Sequence, residues 1–258
     1  TNTAIPTVGA STSGTLTCAS TTVSINGSST TPGATYSWSG PGGFTSSSQN
    51  DDATVDGTYT VTVTDPNNGC VNTAVTSVTT NTTVPNAGSS TTGTLSCVTN
   101  TVTISGTSST SGVTFSWSGP GGFTSSSQND VASAAGAYTV TVTDPNNGCV
   151  NTSITTVTSN TTPPDALAVT GGTITCSGNT ATVNGSSTTP GATFAWSGTG
   201  IISGGSSANA TVNVNGTYTV TVTDPANGCV NTATASVTSN TTAPNAGAST
   251  TGTLTCTN

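Results

Sequence analysis

No lysine, arginine, histidine, glutamate or methionine occurs anywhere in this chain, and its eight acidic residues are all aspartate. Charged residues make up 3% of it, against an average near 25%. Each absence removes a class of function. Without cations nothing can neutralise phosphates, which excludes nucleic acid as a partner and argues against anionic membrane surfaces. Without histidine, neither a Ser-His-Asp nor a Cys-His arrangement can be assembled. No Asp-Thr-Gly, P-loop or dinucleotide fingerprint is present. The chain therefore reads as a non-enzyme with no cofactor. No run of 18 apolar residues occurs, so no segment reads as a membrane span.

What remains is threonine, roughly a quarter of the residues, and a strict period. The cysteines fall at Cys18, Cys70, Cys97, Cys149, Cys176, Cys229 and Cys256. Trp38, Trp117 and Trp196 keep a spacing of 79 residues, and Tyr59, Tyr138 and Tyr218 keep it to within one. The stretch SWSGPGGFTSSSQND from Ser37 recurs unchanged from Ser116, and YTVTVTDPNNGCVNT from Tyr59 recurs from Tyr138. A fixed period with shared landmarks marks a repeat architecture. Joints of the type NTTVPNAG separate the copies. The expected organisation is a joint over 1–8, repeats over 9–86, 87–165 and 166–245, and the opening of a fourth over 246–258. The chain reads as a window on a longer array.

Within each repeat apolar residues alternate with Thr and Ser: Val23 and Ile25, Tyr36 and Trp38, then Tyr59, Val61 and Val63. Period-two alternation describes strands with one dry and one wet face. Turn residues such as Asn26-Gly27 and Asp65-Pro66-Asn67-Asn68-Gly69 separate them. Short strands at this spacing predict an all-β sandwich. A repeat of this size with 30% hydrophobic residues has a thin core. The constant spacing predicts staples Cys18–Cys70, Cys97–Cys149 and Cys176–Cys229, each closing a loop of about 52 residues worth roughly 4 kcal/mol. Cys256 is left to a downstream partner, with a free thiol as the alternative. Disulfides imply an oxidising compartment.

The order of a cysteine, the Trp of YSWSG and DGTYTVTVTDPNNGC resembles the Ig-like and PKD-like repeats of large bacterial surface adhesins. These are especially those of Bacteroidetes, including gliding-motility adhesins. The resemblance implies tandem immunoglobulin-like sandwiches on an extracellular or cell-surface protein. It also implies that Trp38, Trp117 and Trp196 are the core Trp of the third strand, and that Tyr59, Tyr138 and Tyr218 are the corner tyrosines opening the penultimate strand. The first cysteine precedes the Val23–Ile25 strand instead of lying within it, so its bridge is expected at one end of the sandwich.

Other residues invite two readings. Asp65, Asp144 and Asp224 head a hairpin turn, either as Asx-turns or as Ca²⁺ ligands; the Asx-turn is the preferred reading. Asp51 and Asp52 are a weaker Ca²⁺ candidate, their counterparts being Asp130 and Val131. Phe44 and Phe123 offer either a sugar-stacking platform or a hydrophobic plug, and their replacement by Ile201 and Ile202 favours the plug. Asn81, Asn160 and Asn240 stand in glycosylation sequons at successive joints, with more at Asn26, Asn151, Asn184, Asn209 and Asn215. Strands of Thr and Val without lysine leave sheet edges undefended. They are expected to be covered by O-linked glycan or by pairing in a filament or bundle. The function expected is a structural stalk, with each repeat adding roughly 35–45 Å. The alternatives are an adhesive module for glycans or surfaces and accessory modules of a secreted carbohydrate-active enzyme.

Overall fold

The computed structural model describes residues 2–252. Cys256 lies outside them. Repeat 1 contains eight strands: β1 (Gly9–Thr12), β2 (Thr15–Thr17), β3 (Val23–Ser28), β4 (Thr35–Gly40), β5 (Phe44–Ser46), β6 (Asn50–Ala53), β7 (Gly57–Thr64) and β8 (Val71–Asn81). They form two sheets, ordered β1-β3-β6 and β2-β8-β7-β4-β5. All neighbours are antiparallel except β2, which runs parallel to the end of β8 with Thr17 opposite Asn81. The first strand is thus divided between the sheets, and the result is an immunoglobulin-like sandwich.

Alternation along β7 explains the packing. Tyr59, Val61 and Val63 are buried while the threonines between them are half-buried. They meet Leu16, Val23, Ile25, Trp38, Ala53 and Val78 to form the core. The large polar side chains inside find partners, whereas the Thr12 Oγ1 is buried without one. The Tyr59 hydroxyl donates to the Val55 carbonyl at 2.8 Å, the corner bond that closes the loop before β7. The Trp38 indole N–H donates to the Gln49 carbonyl, and the Gln49 amide donates to the Gly27 carbonyl. Trp38 lies on β4 because the first strand is split in two.

Repeats 2 and 3 follow the same order. The described residues fall into two compact units, 2–93 with 101–157, and 94–100 with 158–252. In the first unit, Gly88–Thr91, Val102–Thr107 and Asn129–Ala132 form one sheet of repeat 2. In the second, the short strand Ile201–Ser203 of repeat 3 changes sheets. It pairs with Asn209–Val212, whereas its counterpart β5 pairs with β4. This is the segment in which Gly-Thr-Gly replaces Gly-Pro-Gly-Gly, and the 3₁₀ turns Pro41–Gly43 and Pro120–Gly122 have no equivalent there.

The strands at the sheet edges of repeat 1 are short, four residues in β1 and β6 and three in β2 and β5. β6 also carries Asp51 and Asp52. Short, charged edges resist edge-to-edge pairing without lysine.

One tether carries a carboxylate in repeat 3, where repeat 1 has the Thr7 hydroxyl accepting from the Thr30 N–H. Asp165 accepts hydrogen bonds from the Thr188 N–H, the Ser187 hydroxyl and the Thr188 hydroxyl, each at about 2.9 Å. Those donors, the Thr188 N–H first, hold its carboxyl at about 2 against an ordinary 3.8. A folded value below the unfolded one means stabilisation present above about pH 4 and lost as pH falls through 2. A carboxyl-carbon NMR titration is expected to place the Asp165 midpoint near 2, and Asp165→Asn is expected to remove the pH dependence of this tether between 4 and 2.

Candidate functional site: the joint between repeats

The direction of β8 decides what the joint contains. β8 begins immediately after Cys70 and ends at Asn81, and the Cys18 turn stands beside that far end through the Thr17–Asn81 pairing. Cys18 and Cys70 are therefore separated by the length of an 11-residue strand, about 35 Å. A disulfide needs Cα atoms within about 7 Å. Cys176 and Cys229 are likewise separated in repeat 3, where Val230 opens the strand Val230–Val237 and Thr175 pairs with Asn240 beyond its far end.

The bonds observed are Cys18–Cys149 and Cys97–Cys229, with Cα–Cα distances of 4.9 and 5.0 Å. The expected pairings within repeats, Cys18–Cys70, Cys97–Cys149 and Cys176–Cys229, are corrected accordingly. The first cysteine of one repeat sits where the chain leaves it, and the second cysteine of the next sits where the chain enters. Each cystine spans a joint. Among the described residues Cys70 and Cys176 are free thiols.

The rest of the joint is built by asparagines that the sequence reading passed over. Asn147 is 2% exposed. Its amide N–H groups donate to the Thr83 carbonyl at 2.9 Å and to the Asn81 Oδ1 at 3.2 Å. Its own Oδ1 accepts from the Cys149 N–H, and its backbone carbonyl accepts from the Ala19 N–H. Asn151 donates to the carbonyl of Pro85, which is buried. The second joint has the same parts: Asn227 donates to Thr162 and Asn160, and Asn231 donates to Pro164. Gly148 lies between Asn147 and Cys149 at φ +68°, a conformation that favours glycine, and a side chain there would run into Ala19. The signal was present as NGCVN around the second cysteine of every repeat. Each joint lies wholly within one of the two compact units.

Other candidates resolve into packing and turns. Asp65 accepts from the Asn67 N–H at 2.9 Å and from its side-chain amide, an Asx-turn; Asp144 does the same with Asn146. Asp224 keeps only the backbone bond because Ala226 stands where Asn would be. Asp51 accepts from Ser46 and from the Asp52 N–H, which lower its pKa; Ser125 and the Val131 N–H do so for Asp130. Among the described residues no three Cys or Asp side chains are gathered to hold a metal. Phe44 and Phe123 are half-buried, each edge-on to a corner tyrosine with ring centres 5.2 Å apart. In repeat 3, Ile201 packs against the core and Ile202 is exposed. Trp117 and Trp196, Tyr138 and Tyr218 are buried as Trp38 and Tyr59 are. Asn81, Asn160 and Asn240 are exposed. No helix of the described residues is long and apolar enough to cross a membrane.

No family model and no curated protein matches the sequence. Among solved structures the chain is similar to the three N-terminal domains of the highly immunogenic outer capsid protein of bacteriophage RB49. That match is 15% identical, covers 92% of this chain and 99% of that one, and has a TM-score of 0.36. Extracellular domains 3–5 of Drosophila OTK match at 11% identity, 85% and 91% coverage and a TM-score of 0.31. Immunoglobulin domains 1–5 of Sidekick-1 match at 13% identity with a TM-score of 0.30, covering 94% of this chain and 60% of that one.

Removing the Asn147 side chain would leave Thr83 O, Asn81 Oδ1 and the Cys149 N–H without partners. Asn147→Ala is therefore expected to cost about 2 kcal/mol in denaturant unfolding with disulfides intact. Asn67→Ala, at a position that is alanine in repeat 3, is expected to cost under about 0.5 kcal/mol.

Proposed function

We propose that this chain is the structural repeat region of an extracellular surface protein, a stalk or filament body that holds something away from a cell. The observation that carries the reading is the closed joint. A stalk is only as stiff as its hinges, and here each joint has a cystine, a buried proline and two asparagines that grip the linker backbone. Proline-fixed linkers are stiff by themselves, and the cystine removes the freedom left.

Cystines need an oxidising compartment, which supports an extracellular location. The near identity of successive repeats supports spacing over recognition, because repetition extends a structure without adding a new surface. The resemblance to repeats of large bacterial adhesins supports the same reading, with the sequons at Asn81, Asn160 and Asn240 and the outward Thr rows as acceptors for glycans. Self-association into a filament or bundle belongs to this proposal.

Stiffness at a joint can be read by NMR. Residual dipolar couplings from repeats 1 and 2 are expected to fit one alignment tensor in the oxidised chain. They are expected to need two tensors once Cys18 and Cys149 are both serine. Independent tumbling in the oxidised chain would overturn the stalk reading. Saturable binding of the chain to a particular glycan on an array would transfer the function to the adhesive alternative.

A further inference from the structure

Each repeat carries one peptide bond of a chemically weak kind. Asp65–Pro66, Asp144–Pro145 and Asp224–Pro225 are the Asp-Pro bonds of the chain; the other aspartates are followed by Asp, Ala, Gly or Val. An aspartate carboxylate can reach its own main-chain carbonyl carbon by closing a small ring. Proline then makes the better leaving group, because its nitrogen belongs to a tertiary amide with no N–H.

All of these bonds sit in the same turn, between Gly57–Thr64 and Val71–Asn81 in repeat 1 and between the counterpart strands in repeats 2 and 3. The turn arranges the groups such a reaction uses. The carbonyl oxygen of the weak bond accepts a backbone hydrogen bond from a glycine further along the turn. Gly69 N–H donates to Asp65 at 2.9 Å, Gly148 to Asp144 at 2.8 Å and Gly228 to Asp224 at 2.8 Å. A donor fixed on that oxygen stabilises the negative charge it gains as the carbon becomes tetrahedral. The carboxylate is anchored through Oδ1, which accepts from the N–H of Asn67, Asn146 or Ala226. Among the described residues no hydrogen bond reaches Oδ2 in any of these turns, so that oxygen is free to attack. Pro66, Pro145 and Pro225 are exposed, and solvent reaches the departing nitrogen. Few other titratable groups stand near. Cys70, Cys149 and Cys229 close the turns, Tyr36 lies opposite Val63 in repeat 1, and the linker gripped by Asn227 and Asn231 carries Asp165.

We propose that these turns are self-cleaving sites, at which the folded chain hydrolyses its own Asp-Pro bonds in mild acid. The proposal goes beyond the stalk reading and does not rest on it. Oδ2 attacks the main-chain carbonyl carbon of its own aspartate, the carbon–nitrogen bond breaks, and the proline nitrogen leaves with a proton from solvent. The aspartate is left as a cyclic anhydride, which water opens to two carboxyl groups. One water is consumed and one peptide bond is lost, with no oxidant or reductant. The cut falls at the tip of a hairpin, so the paired strands keep their register. It also falls inside a loop closed by a cystine. Cys18–Cys149 spans the first two sites and Cys97–Cys229 the last two. A chain nicked once therefore stays one covalent molecule until its cystines are reduced, and release needs acid first and a reductant second.

The experiment holds the purified, oxidised chain at about pH 4, the ordinary carboxylate range. Nicking is followed by electrophoresis with and without reduction and by amino-terminal sequencing. New amino termini at Pro66, Pro145 and Pro225 are expected, with singly nicked chains coming apart only on reduction. The folded chain is expected to nick at least about tenfold faster than the same chain reduced and unfolded in guanidinium chloride at that pH. Asp144→Ser keeps a turn-forming oxygen but has no carboxylate. It is expected to abolish the nick after residue 144 while the other two sites continue as internal controls, and formation of Cys18–Cys149 checks its folding. A folded chain that stays intact, a rate advantage over the unfolded chain smaller than that margin, or a nick after residue 144 that survives Asp144→Ser would overturn the proposal.

Discussion

Everything distinctive in this molecule depends on where β8 starts and stops. It carries the chain from the end where a repeat is entered to the end where it is left. That single run puts the second cysteine at the entrance and, through the parallel pairing of β2, the first cysteine at the exit. A cystine between neighbours is then the geometrically available bond, and one within a repeat is not. The bonds also overlap along the chain, since Cys97 precedes Cys149. A single backbone cut anywhere between Cys18 and Cys229 leaves one covalent molecule. Pairing within repeats would have left every joint open to separation by one cut.

The thin core makes this arrangement intelligible. Each repeat buries one Trp, one Tyr and a handful of Val, Ile, Leu and Ala, too little apolar surface for a generous margin. A cystine closing 131 residues is worth about 5 kcal/mol in the chain-entropy account, and it acts on two repeats together. The joint asparagines work the same way. Their side chains satisfy linker carbonyls that would otherwise lie beneath a neighbouring repeat without partners. Stability is therefore shared along the array, as expected where each unit leans on its neighbours.

Much of this was legible in the residues. The 79-residue period, the alternation through Tyr59, Val61 and Val63, and the Asx-turn at Asp65 all follow from local pattern, and the structure contains each. The cystine partners were not legible from spacing, because constant intervals hold equally for Cys18 with Cys70 and for Cys18 with Cys149. Only strand direction separates the two, and that requires knowing that β2 pairs parallel with the end of β8. Asn147 and Asn227 were missed because an Asn before Gly reads first as a turn residue. Their position two residues before every second cysteine was the available sign. Asp165 was missed because it occurs in one joint only, where the equivalent positions carry Thr7, Asn86 and Asn245.

The central claim is that the cystines join neighbours, and disulfide mapping addresses it directly. Thiols would be capped, the chain denatured without reduction, and the backbone cut before each Asp. Fragment 1–50 is expected linked to 144–164, and 65–129 to 224–258. Fragment 1–50 linked to 65–129, with 165–223 linked to 224–258, would show staples within repeats and contradict it.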